Sequence, residues 1–235
     1  MGGVYRRAPA TTFGAVPPVT HPLWPLFDLR IRSEHLVLRL PTDDDLIDLA
    51  ALARSGIHGE DEMPFGVPWS TRPSPEFEIG FVQHHWGMRA SWTPEKWWLN
   101  LAVERNGEFV AAQTIAADGF AVHRVVDTGS WVARRFQRQG IGKEMRGAVL
   151  AFAFDHLGAQ VAESEAFLDN AASNAVSRGL GYEPNGFGRL APEGVSRETA
   201  KYRMTRAAWE ARERPTVEVE GLEACRALFG LSAAG

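Results

Sequence analysis

The chain is predicted to fold as an α/β domain, of the α+β kind, built on a mixed and mostly antiparallel central sheet with helices on both faces. Three observations predict it. First, "WWLNLAVE" (97–104) and "FVAAQTIAA" (109–117) flank Asn106-Gly107, a pair favoured in two-residue hairpin turns. Second, "VVDTGSWVA" (125–133) adds a third strand to that meander. Third, helical and strand periodicities alternate around it in the order β-α-α-β-β-β-α-β-α-β, the pattern of a sheet layered by helices.

Residues 1–22, rich in Gly, Pro, Ala and Thr, predict a flexible N-terminal arm. "HLVLRLP" (35–41) alternates as a first strand and stops at Pro41. Thr42 is placed to cap a helix whose first turn carries Asp43, Asp44 and Asp45, where negative charge suits the helix dipole. Residues 56–75 hold glycines and prolines throughout, yet Met63, Phe65, Val67 and Trp69 are too apolar for a solvated loop. Two readings stand for that segment: a loop packed on the core, or a wall of a substrate pocket. A helix follows over 76–90. After the meander come a helix to about His156, a strand over 159–167, a short helix within 169–182 and a strand over 200–205. Pro215 opens a C-terminal extension with "TVEVEG" as a strand and "LEACRALFG" as a helical turn. The domain is thus expected over 23–206 and the extension over 207–235.

A chain of 235 residues with 45% hydrophobic content is long enough for one sizeable core. Its net charge of −4 makes no electrostatic case for nucleic acid as a partner. One cysteine, Cys225, excludes an internal disulfide framework and any CxxC metal site. His84-His85 lacks an H-x-x-x-H or H-E-x-x-H companion, so no metal is expected. No apolar run approaches the roughly 20 residues that span a bilayer, and no continuous apolar segment follows the N-terminal arginines. A soluble cytoplasmic protein with no membrane partner is the expectation.

"RRFQRQGIGKEMRGAV" (134–149) gathers four arginines and a lysine around Gly140 and Gly142, directly before a helix. A helix start with bare N–H groups and flanking cations suits an anion, phosphate above all. The Rossmann pattern G-x-G-x-x-G fails, because Met145 stands where the third glycine belongs and the preceding strand is part of a meander. The P-loop fails as well, with Gln137 in place of its first glycine and Glu144 in place of Ser/Thr. The pattern [QR]-x-x-G-x-[GA] fits completely, over Gln137-Arg138-Gln139-Gly140-Ile141-Gly142.

With "VDTGSWVA" before it and "DNAASNAVSRGLGY" after it, this segment resembles the GCN5-related N-acetyltransferase (GNAT) superfamily. The resemblance runs from about Leu26 to Arg206. The flanks look like the RimJ/RimL branch, whose members acylate protein N-termini, lysines or small amines. "PLFDLRI", "MPFGVPW" and the C-terminal segment look like an actinobacterial subgroup that includes succinyl-CoA users. The resemblance implies a splayed strand pair that holds acyl-CoA, with acetyl-CoA or succinyl-CoA as donor. It gives the pyrophosphate to the amides of Gln137, Arg138, Gln139, Gly140, Ile141, Gly142 and Lys143. It gives Trp131 and Val132 a backbone role beside the pantetheine, and places Asn170 and Ser173, as N-x-x-S, on the pantetheine arm.

The chemistry needs a base for the amine and an acid for the departing thiolate. By resemblance Asp127 is the candidate base, with Glu104 a second option. Other branches carry a tyrosine acid where this chain has Ser177, before Gly181-Tyr182; Ser173 is the substitute, or else only holds cofactor. Phe65, Trp69 and His85 are candidates for the acceptor site. Direct transfer in a ternary complex is expected, since Cys225 lies far from the motif. A succinyl carboxylate would need a cation, for which Arg72, His84, His85 and Arg89 are available; on the subgroup resemblance succinyl-CoA is expected to serve at least as well as acetyl-CoA. The acceptor is an amine on a protein or a small molecule, and a homo-oligomer is compatible with all of this. The rival reading is a catalytically silent acyl-CoA sensor or interaction module.

Overall fold

Short alternating segments, joined by turns that Gly and Asn permit, assemble one sheet in the computed structural model, which describes residues 21–232. Its strands are β1 (Arg30–Arg32), β2 (Val37–Arg39), β3 (Lys96–Arg105), β4 (Glu108–Asp118), β5 (Val125–Val132), β6 (Val161–Phe167), β7 (Glu183–Leu190), β8 (Arg197–Thr205) and β9 (Glu218–Glu220). They lie in the order β7-β8-β6-β5-β4-β3-β2-β1-β9. All adjacent pairs are antiparallel except β5 and β6, which are parallel. The expected Asn106-Gly107 turn joins β3 to β4, with φ of 53° and 78° at its two residues. Both values lie in the left-handed region that a type I′ turn requires.

Helices α1 (Asp43–Arg54) and α2 (Glu76–Ala90) cover one face of the sheet. The expected cap at Thr42 is a full capping box: Thr42 accepts from the Asp45 amide while the Asp45 carboxylate accepts from the Thr42 amide. Leu46, Leu49, Phe77 and Phe81 bury that face together with Ala102 of β3. After the short α3 (Phe120–His123), α4 (Ile141–Ala151) packs on the opposite face. Its Met145, Ala148 and Val149 join Leu99, Leu101, Ile115 and Val126 of the strands in the larger core. A π-helical turn over Phe152–Leu157 carries α4 on to Gly158, whose φ of 80° ends it. Helix α5 (Ala171–Gly179) sits beside α4, followed later by α6 (Arg206–Glu210) and α7 (Leu222–Cys225).

Two strands were not legible in the sequence. Segment β1 is only Arg-Ile-Arg, too short to display a period, and it exists because β2 and β9 flank it. Segment β7, "EPNGFGRL", holds a proline and two glycines and shows no strand period; it is an edge strand with an irregular register between Pro184 and Phe187. Edges and bulges are where Pro and Gly are tolerated in a sheet. The C-terminal extension is also more than an appendage. Strand β9 pairs with β1, and Phe229 is fully buried against Trp92, Trp97 and Phe152. The N-terminal arm expected over 1–22 falls, apart from residues 21 and 22, outside the described residues.

Candidate active site

The parallel pair β5 and β6 is where the sheet opens. Their register covers only Val125↔Val161, Val126↔Ala162 and Asp127↔Glu163. Beyond it β5 continues to Val132 on β4, and β6 continues to Phe167 on β8. The two strands therefore diverge as a fork. Thr128 staples the apex, its hydroxyl donating to the Glu163 carbonyl at 3.1 Å. The edge of β5 from Thr128 to Val132 that faces β6 is left without a strand partner.

Because β5 and β6 are parallel, the helices that follow them both start at the open end of the fork. At α4 the cap residue is Gly140, with φ of 83° and no side-chain cap. The amides of Lys143 and Glu144 both return to the Gly140 carbonyl. Those of Arg138, Gln139, Gly140, Ile141 and Gly142 meet no acceptor among the described residues. Arg138, at φ of 60°, and Gly140 curl the chain in the left-handed way that forms anion-binding nests. Here glycine serves conformation at 140. At Gly142 it serves closeness: a Cβ would lie 3.7 Å from Val176 of α5 and 3.9 Å from Val132 of β5, in the mouth of the fork.

The side chains of this loop divide the work. Gln137 donates to the carbonyls of Ile57 and Val132, both at 2.9 Å, and so ties the loop to the end of β5. Gln139 is held by Arg105 at 3.1 Å and by its own bond to the Arg135 carbonyl. Ile141 is buried in the core, which leaves only its backbone for a ligand. Arg135 pairs with Glu108, whereas Arg138 and Lys143 are exposed and in no ion pair among the described residues. At the start of α5, the Asn170 side chain accepts from the Ser173 amide at 3.1 Å, and Ser173 is half-buried in the first turn.

The α2 face of the fork is polar and anionic. Asp127 and Glu163 are register partners, and Glu165 follows two residues along β6 on the same face. Burial first, then the Glu163 and Glu165 charges, hold the Asp127 carboxyl above the usual carboxylate range. Arg203 and Lys201 of β8 stand opposite Glu163 and Glu165. Asn100 of β3, Thr114 of β4 and Gly129 of β5 form the adjacent row. Thr114 donates to Asn100 at 2.6 Å, and Asn100 meets His84 Nε2 of α2 at 3.4 Å. The sequence carried one sign of this row, an asparagine in the apolar run "WWLNLAVE", but its neighbours become neighbours only through register.

Segment 56–75 spans the open end. Its packing matches the core-loop reading. Trp69 packs on Phe77 and Phe81, as a core loop would, and its ring centroid is 5.1 Å from that of Phe65 and 6.5 Å from that of Trp131. The Met63 carbonyl accepts from Arg197 of β8 at 2.8 Å, bringing the segment over to the far arm of the fork. His85, the third acceptor-site candidate, lies on α2 one turn after Phe81. It is buried against Phe81, and burial, aided by His84 and Arg89, lowers its pKa to about 3. His84, its neighbour, is the histidine that reaches the polar row.

Glu104 is likewise committed. It accepts from Arg39 at 2.5 Å, and Arg39 also binds Asp45. It lies six residues along β3 from Trp98, which shares the cross-strand row of Asp127, so about 20 Å separates the two carboxylates. Glu104→Gln is expected to cost about 1 kcal/mol of stability through the weakened Arg39 bond and to leave turnover intact, measured as Tm and kcat side by side. Cys225 is fully buried, and burial pushes its thiol up to about 12, which removes it as a nucleophile.

A fork with an uncapped helix start at its mouth is the geometry that the acyl-CoA motif implied. The family model for the acetyltransferase (GNAT) domain matches residues 35–183. The chain belongs to the GNAT acetyltransferase family. Solved GNAT structures share the fold. RimJ from Mycobacterium smegmatis, in complex with CoA-disulfide, is 22% identical with a TM-score of 0.60, over 83% of this chain and 93% of that one. A GCN5-related N-acetyltransferase from Brucella melitensis is 20% identical with a TM-score of 0.61, over 77% and 80%. RimL, a ribosomal L7/L12 alpha-N-protein acetyltransferase in complex with coenzyme A, is 16% identical with a TM-score of 0.59, over 75% and 97%. As a GNAT acetyltransferase the chain uses a CoA thioester. Among the described residues no helix is long and apolar enough to cross a membrane.

Proposed function

We propose that this GNAT enzyme transfers an acetyl group from acetyl-CoA to the α-amino group of a protein or peptide N-terminus. The observation that carries the reading is the fork itself, open at the two helix starts and flanked on the α2 face by Asp127. The free amides of 138–142, with Arg138 and Lys143 beside them, suit the pyrophosphate. The unpaired edge of β5 at Trp131 and Val132 suits the amides of the pantetheine. Amine nitrogen attacks the acyl carbon, the C–S bond breaks, and the amine proton passes through water to Asp127. Ser173, at the first turn of α5, supplies a hydroxyl for the departing thiolate.

The acceptor class follows from the base. A free α-amine has a pKa of about 8 and a lysine about 10.4, so the α-amine offers far more neutral nucleophile at pH 7. A carboxylate, even one held above its usual range, is a weak base that suits the first case better. The anionic face also attracts an ammonium group. RimL, an alpha-N-protein acetyltransferase that shares the fold, is consistent with such an acceptor.

The donor follows from the cations. Arg89 is bound to Asp43 at 2.6 Å and to the Pro41 carbonyl, and stacks on Phe27. His85 is buried and neutral. Arg72 is exposed, with its Nη1 beside Gly80 of α2. His84 hydrogen-bonds to the polar row, and burial lowers its pKa as well. A succinyl carboxylate would thus meet Asp127, Glu163 and Glu165, and the cations of that face, Arg203 and Lys201, already stand opposite two of these carboxylates, so its burial is costly. Acetyl-CoA is expected to be preferred by about tenfold or more in kcat/KM, about 1.4 kcal/mol. Thiol release with both donors, over a panel of N-terminal peptides, acetyl-lysine precursors and small amines, tests donor and acceptor together. Release with lysine side chains but not with α-amines overturns the acceptor; no release with any amine, despite CoA binding, gives the silent-sensor reading.

A further inference from the structure

The fourth arginine of the motif segment is not at the ligand face. Arg146 lies in the middle of α4, points into the sheet and is 3% exposed. Its guanidinium donates through Nη1 to Ser164 Oγ of β6 at 3.0 Å and through Nη2 to Ser130 Oγ of β5 at 3.2 Å. Ser164 is one residue, and Ser130 three residues, past the last paired position of the two strands. One planar group therefore spans the fork just beyond its apex. No carboxylate partners it among the described residues; the Tyr182 phenol is the polar group beside it, and its Nε is buried without an acceptor.

This is an expensive arrangement for structure alone. A buried charge without a counter-ion costs stability, and an apolar side chain of similar size is often neutral or better in its place. Ordinary sheet pairing would close β5 against β6 and satisfy their backbone without any arginine. What the guanidinium adds is a fixed separation: its two Nη donors sit at a rigid spacing, one on each diverging strand. The slot that this separation leaves is the one assigned above to the pantetheine.

Resting on that acyl-CoA reading, we propose that Arg146 is a positioning residue that pins the fork open, setting the width of the CoA slot through Ser130 and Ser164. It touches neither donor nor acceptor. Its loss therefore weakens donor binding through the slot and leaves the acceptor face, on the other side of the sheet, as it was.

The test uses the full chain in four forms: wild type, Arg146→Met, Arg146→Lys, and the Ser130→Ala/Ser164→Ala double variant, which keeps the arginine but removes its ties. CoA affinity is read by calorimetry, and KM for donor and acceptor separately by thiol release. Arg146→Met and the double variant are expected to raise the CoA Kd and the donor KM about tenfold or more, with acceptor KM unchanged; ligand-free Tm holds or rises in Arg146→Met and falls in the double variant, which leaves the buried guanidinium without its serine acceptors. Lysine keeps the charge without the two-pronged geometry, so Arg146→Lys is expected to share the defect. Wild-type CoA affinity in the double variant, or full rescue by lysine, overturns the pin. Should Arg146→Met not fold, the double variant decides. A wild type that does not bind CoA is a different result, overturning the acyl-CoA reading and the pin with it.

Discussion

Gly142→Asp is expected to abolish the rise in Tm that acetyl-CoA produces, while leaving the ligand-free protein as stable as before or more so. The two effects have opposite signs for one reason. Gly142 is the second residue of α4, where an acidic side chain is favourable to the helix dipole by a few tenths of a kcal/mol to 1 kcal/mol. Replacing a helical glycine adds roughly another 0.5 kcal/mol in the same direction. Its Cβ would meet Val176 and Val132 at ordinary contact distances, so little must move. The carboxylate, however, takes the place at the amides where a pyrophosphate would sit, and repels it. For wild type at a hundredfold excess over Kd, ligand binding is worth about 2.7 kcal/mol. In a chain of this size that corresponds to a Tm rise of about 5–10 °C. Thermal unfolding of both proteins with and without acetyl-CoA reads the contrast directly. A variant that retains the full shift would remove the α4 start from the binding site.

Asp127→Asn is expected to lower kcat about 100-fold at neutral pH, the low end of general-base contributions, with the CoA-induced shift in Tm retained. The kcat/KM of wild type should fall on the acid side through a pKa above the usual carboxylate range, because burial and the charges of Glu163 and Glu165 oppose ionisation of Asp127. Lys201, Arg203 and His84 are the cationic or titratable groups on the same face. Stability runs the other way. A carboxyl whose folded pKa is raised contributes stability below its unfolded pKa and loses it as pH rises through the folded value. At pH 7 the ionised Asp127 is thus a burden to the fold. Asp127→Asn should be less active and no less stable, a combination that global damage would not give. Turnover that survives in Asp127→Asn would take the base role from this residue.

Some of this protein was decided by residue order alone. The hairpin at Asn106-Gly107, the capping box at Thr42, the long helix after Gly140 and the glycine loop before it are local events, set by φ preferences and by side chains within a few positions of their partners. The family followed from the same local signals, because the proposed pyrophosphate site is made of consecutive backbone amides.

The rest needed the fold. Segments β1 and β7 exist because neighbours pair with them, so neither carries a period of its own. His84 and His85 are adjacent in sequence and differ in role only through helix phase: one meets Asn100, the other is buried on Phe81. Glu104 and Asp127 are both strand carboxylates, and register alone separates them, one bound to Arg39 and the other set beside Glu163. Arg146 counted as one more cation of the basic motif until the chain folded; the helix turn that carries it points inward, onto two serines from strands far apart in sequence. Contacts between distant segments depend on sheet register and helix phase, and neither is written in the spacing of residues along the chain.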